Sequence, residues 1–129
     1  MTGTTRWRIA AAIWAAFIFI SGVVPTQGLV AAVSEGHDDA FTTAAHFAVY
    51  VGLGFMLAVA LGGWTVSPRR LLLALVLAAA LGGAIELVQG PLPYRDTQLS
   101  DFLMDVAGAA VGLVAFSAVA RGQRTRSHA

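Results

Sequence analysis

The sequence predicts an all-α membrane protein, a bundle of four transmembrane helices with its N-terminus and C-terminus both cytoplasmic. Three observations carry this expectation: the apolar composition, four long apolar runs, and the placement of the arginines. Hydrophobic residues make up 57% of the 129 residues and charged residues only 12%, against about 25% charged in a soluble domain. A soluble chain this short has too much surface for its volume to hide so much apolar material. Lipid as solvent removes the difficulty.

The four runs lie at Trp7–Pro25, Thr43–Trp64, Leu71–Gly90 and Phe102–Ala120. Each is roughly 19–21 residues, enough to cross a hydrocarbon core of about 30 Å as a helix. They are rich in Ala, Leu and Val and lack the period-2 alternation of barrel strands. Backbone at bilayer depth must satisfy its own hydrogen bonds, which also selects helices. A single four-helix domain over residues 1–120 is expected, with 121–129 as a disordered cytoplasmic tail. The second outer loop is marked by Pro91 and Pro93. Span one follows a basic start at Arg6 and Arg8, as a signal peptide would, but its apolar run exceeds the usual 7–15 residues of one.

All eight basic residues are Arg. Arg6 and Arg8 precede span one, Arg69 and Arg70 join spans two and three, and Arg121, Arg124 and Arg126 follow span four. The positive-inside rule puts all of these in the cytoplasm and leaves Arg95 outside, with Glu35, Asp38 and Asp39 in the first outer loop. Trp7 and Trp64 then fall at inner span ends and Tyr94 near an outer one, where interface aromatics belong. The absence of Cys excludes disulfides and thiolate chemistry. No basic surface suited to nucleic acid is present.

Within that topology the polar residues gather at one depth. His46 lies about one turn below the outer surface on span two, with Tyr50 one turn deeper on the same face. Glu86 and Gln89 stand near the outer end of span three, three apart and so on one face. Asp101 opens span four and Asp105 follows one turn on, while Arg95 sits in the intervening loop. Small residues form related stripes: Gly54 below His46 and Tyr50, Gly82 and Gly83 below Glu86, Gly108 and Gly112 below Asp105. Gly108 and Gly112 make a G-x-x-x-G pair that permits close helix approach, within the bundle or in a homo-oligomer. These faces are expected to meet, the glycines closing the helices and the polar groups capping the outer end. A carboxylate at mid-bilayer costs about 2.5–3.5 kcal/mol on insertion scales, so facing the bundle is preferred to facing lipid. Desolvation and mutual repulsion favour a protonated Glu86 or Asp105 near neutral pH, or a cation bound there.

Each residue also has a structural reading. Glu86 is a proton carrier or ligand group, or an interhelical hydrogen-bond partner. Asp101 serves the site or the helix start. Arg95 binds a lipid phosphate or a peptidoglycan carboxylate, or pairs with Asp101 or Asp96. His46 with Tyr50 forms a proton relay or a structural pair. His37, Asp38 and Asp39 suit a solvated acidic loop better than a metal cluster. His46, Glu86, Asp101 and Asp105 would together suit a His/carboxylate metal site, but no tight motif supports one. No metal and no cofactor is therefore expected.

The composite H46FAVY50 followed by E86LVQGPLPYRDTQLSD101FLMD105VAG108AAVG112 resembles the VanZ-like family. That family has His and Tyr on the second helix, Glu-x-x-Gln ending the third, an Arg in the next loop, and Asp-x-x-x-Asn-x-x-Gly opening the fourth. Two departures stand out. Thr42-Thr43 replaces an Asp-Lys pair common before the His, and Asp105 replaces the usual Asn. The resemblance implies a multi-pass protein of the bacterial cell membrane, in a family associated with lowered susceptibility to teicoplanin-type glycopeptides. Its expected partners are the lipid bilayer and a lipid or peptidoglycan-precursor head group held in the outer pocket. A proton- or cation-coupled carrier using Glu86 and Asp105, a membrane enzyme using the carboxylates as acid and base, and a structural or assembly subunit are the alternatives. No nucleophile motif or phosphate-binding loop supports an enzyme.

Overall fold

The computed structural model describes residues 3–24, 39–92 and 99–126. It contains four helices: α1 (Gly3–Val23), α2 (Asp39–Gly62), α3 (Pro68–Gln89) and α4 (Leu99–Arg126). Each is long and apolar enough to span a membrane, over Gly3–Val23, Thr43–Gly62, Pro68–Gln89 and Leu99–Thr125. The apolar runs place the helices well and their ends less well. Helix α3 begins at Pro68 because proline at a helix start forfeits no hydrogen bond and presets φ, and the extended Ser67 before it (φ −140°) turns the chain in. Helix α2 stops at Gly63, whose φ of 59° only glycine adopts readily. Its N–H still donates to the Val59 carbonyl at 2.7 Å.

Helix α4 runs on past Ala120 to Arg126. Residues 121–126, expected in a disordered tail, are therefore helical. A helix already nucleated in the membrane extends cheaply through good helix formers such as Arg121, Gln123 and Arg124.

Interhelical contacts fix the directions. Trp14 Nε1 donates to the Val49 carbonyl at 2.9 Å and Arg8 Nε to the Ala60 carbonyl at 3.1 Å, so α1 and α2 are antiparallel. Gly108 meets Phe47 and Gly112 meets Val51, so α2 and α4 run parallel. The bundle thus has a loop end, where α2 and α4 begin, and a terminal end, where they finish. Helix α2 packs on all three others, whereas among the described residues no Cα of α1 lies within 8 Å of one in α4.

The α2–α4 seam is built from glycine. A Cβ at Gly54, Gly108 or Gly112 would strike backbone of the facing helix at Ala109, Phe47 or Val51. Two core clusters lie along the bundle. One holds Ile18, Tyr50, Leu53, Ala78, Ile85 and Ala109, the other Ala58, Val59, Ala74, Leu113, Phe116 and Ala120. Alanines fill much of this interior, while Ile13, Leu72, Leu77 and Val114 point outward. A small-residue interior with large apolar residues outside is how helices pack when lipid is the solvent. At the terminal end Trp7, Phe55, Trp64 and Phe116 interlock, with ring centroids 6.0–6.2 Å apart in five pairs.

Candidate functional site

The polar residues of the loop end fall into three groups, set by which neighbour each helix face meets. The first is buried between α2, α3 and α4. His46 lies one turn before Tyr50 on α2, and both face α4 because the Gly108 backbone opposite leaves them room. His46 Nδ1 and Asp105 Oδ1 are 3.3 Å apart, with the Asp105 side chain 5% exposed and that of His46 28%. A carboxylate so buried needs a partner, and the imidazole supplies it.

Gly82 of α3 closes this group from the third side. A Cβ there would lie 3.1 Å from Asp105 Oδ2 and 3.3 Å from the Tyr50 hydroxyl. Glycine is what lets both polar atoms occupy that space. The Tyr50 hydroxyl is fully buried and lies beside the Asp105 carboxylate without meeting hydrogen-bond geometry to it. It has no hydrogen-bond partner among the described residues. Native structures leave few buried hydroxyls in that condition.

The second group is a groove. Glu86, half-buried, stands with Ala80, Gly83, Ala84, Leu87, Gly90, Leu99 and Phe102 along a cleft of about 780 Å³ between α3 and α4. Its walls are apolar, and among the described residues Glu86 is its one charged lining residue. The Glu86 carboxylate is also within electrostatic reach of the Tyr50 hydroxyl, so groove and buried cluster are neighbours.

The third contact is a tie. Gln89 is buried, and its Nε2 donates to the Gly22 carbonyl of α1 at 2.7 Å. Glu86 and Gln89 are three positions apart, which places them on the same side of α3 but turned enough to meet different neighbours. Gln89 faces α1, and Glu86 faces the α4 side. The sequence cannot show this, because it depends on where α1 packs.

Asp101 lies in the first turn of α4, half-buried, where a carboxylate favours the helix dipole. Ser100 is likewise inside the helix rather than before it. Arg95, Tyr94, Asp96, His37 and Asp38 lie outside the described residues. Among the described residues no three His, Asp or Glu side chains stand together as metal ligands, so His46, Glu86, Asp101 and Asp105 do not assemble into such a set. Gly54, Gly108 and Gly112 meet the facing helix across the α2–α4 seam. Gly82 belongs to the polar cluster, while Gly83 meets only the Phe102 ring at 3.9 Å. Sequence reasoning missed the ties from Trp14 and Arg8 to α2 carbonyls, for which no sequence signal exists.

A family model described as VanZ/LLP1 matches residues 6–120, nearly the whole chain. The chain belongs to the VanZ/LLP1 family. The match reaches into all four spans and includes every residue of the polar cluster. With four candidate spans it makes this VanZ/LLP1 chain a multi-pass membrane protein. No curated protein and no solved structure matches the chain.

Proposed function

We propose that this VanZ-type protein of the bacterial cell membrane holds a lipid or cell-wall precursor head group at the loop end of its bundle. The groove between α3 and α4 carries the reading: apolar walls with the Glu86 carboxylate among them, set beside a buried polar cluster. That combination suits an amphiphile. The walls take an apolar chain, and Glu86 accepts hydrogen bonds from hydroxyl or amino groups of the head. In this reading both termini are cytoplasmic and the loop end faces outward, supported by the crowding of Arg6, Arg8, Arg69, Arg70, Arg121, Arg124 and Arg126 at the other end. Occupying precursor or altering its surface access would lower susceptibility to teicoplanin-type glycopeptides.

The test is photocrosslinking of membranes with a photoactivatable lipid-linked precursor analogue, beside glycopeptide susceptibility. Glu86→Gln is expected to lose both crosslink and phenotype at unchanged protein level. Retention of both would refute the reading.

A second reading has its own observation. The Tyr50 hydroxyl, buried beside the Asp105 carboxylate that His46 meets and without a hydrogen-bond partner among the described residues, supports a proton relay in a proton-coupled carrier. Reconstituted protein is expected to show pH-driven flux that Tyr50→Phe abolishes. An absence of flux in wild-type vesicles would sink it.

A further inference from the structure

A second groove lies between the same two helices at the opposite, terminal end. Leu71, Leu72 and Leu75 of α3 form one wall, and Ala110, Leu113, Val114, Ser117 and Ala118 of α4 the other, enclosing about 440 Å³. Arg121 lines its mouth. The Ser117 hydroxyl is turned away from ligands, donating to the Leu113 carbonyl at 2.8 Å. The groove is therefore apolar along its length and cationic at one end.

A second cation stands just beyond the groove's lining, on the helix that carries the leucine wall. Arg69 precedes Leu72 by three residues, which puts it on the face of α3 that carries Leu72 into the groove. Arg121 follows Ser117 by four and Ala118 by three on α4. Arg69 and Arg121 are exposed and have no hydrogen-bond or ion-pair partner among the described residues. Arg70, between Arg69 and Leu71, instead points its guanidinium at the Gly62 carbonyl, 3.4 Å away.

We propose that this groove is a binding site for an anionic phospholipid. One acyl chain lies between the leucines of α3 and Val114, and the phosphate is held by Arg121, with Arg69 reaching from the first turn of α3. Guanidinium groups suit this task, since their fork of donors matches phosphate oxygens. The charge decides the occupant: a zwitterionic lipid satisfies the apolar walls equally but brings a cation to the two arginines. The site is separate from the Glu86 groove and does not depend on its function.

Native mass spectrometry of the full-length protein in detergent tests this, with phosphatidylglycerol and phosphatidylcholine of matched chains as probes. Phosphatidylglycerol is expected to be retained preferentially. Arg121→Ala should weaken its retention roughly fivefold, the value of one cation near an anionic lipid surface, and leave phosphatidylcholine unchanged. Arg124→Ala, which removes the same charge from the same stretch of α4 outside the groove lining, should have no such effect. Ala118→Trp should fill the groove and reduce both lipids. Equal retention of the two lipids, equal losses from Arg121→Ala and Arg124→Ala, or displacement by millimolar inorganic phosphate alone would each overturn the proposal.

Discussion

His46 Nδ1 on α2 and Asp105 Oδ1 on α4 meet at 3.3 Å beside a seam where the two helices touch backbone to backbone. The pair is thus held by the parallel partners of the bundle rather than by sequence neighbours. His46→Ala would leave a buried carboxylate without its partner, at about 1–3 kcal/mol. The His46→Ala/Asp105→Ala double variant should be less destabilised than the two losses summed, with a coupling of about 1 kcal/mol. Reversible unfolding in mixed micelles, run as a double-mutant cycle, measures it. Strict additivity would show the pair to be energetically idle.

Tyr50→Phe separates folding from function. Removing a buried hydroxyl that lacks a partner should leave stability unchanged or raise it by up to about 1 kcal/mol. A fall in stability on thermal unfolding would mean that the hydroxyl is bonded in the folded protein.

The glycines should rank by what faces them. Gly112→Ala drives a methyl into Val51 backbone and should destabilise by about 1–3 kcal/mol. Gly83→Ala meets only the edge of Phe102 and should be tolerated within about 0.5 kcal/mol. Gly122→Ala has open space around it in an exposed helical stretch and should stabilise by up to about 1 kcal/mol. Melting temperatures of the three variants in one detergent give the order.

Gln89→Leu removes the donor to the Gly22 carbonyl and should loosen α1 from α3 at about 1 kcal/mol. Faster hydrogen exchange around Ser21–Val23 than in α2 is the expected signature. Uniform exchange would show that the tie is dispensable.

The four helices were legible because each span is a long apolar run flanked by polar residues, Gly or Pro. The meeting of α2, α3 and α4 was legible because His46, Tyr50, Gly82 and Asp105 repeat at helical spacing on faces otherwise apolar. The parting of Glu86 from Gln89 was not. Their spacing is equally compatible with one shared neighbour or two, and only the position of α1 decides. The helical continuation to Arg126 was hidden because polar residues after a span read the same whether coiled or wound.

The first helix packs on α2 and α3, and its backbone stays clear of α4. During synthesis, the first three spans can associate before the last one exists, yet the α2 face carrying Tyr50 and Gly54 stays open until then. Completion of the final hydrophobic segment is therefore the event that commits the protein to its native form. A nascent chain stalled before residue 99 presents Tyr50 and Gly54 without the helix that covers them in the finished bundle.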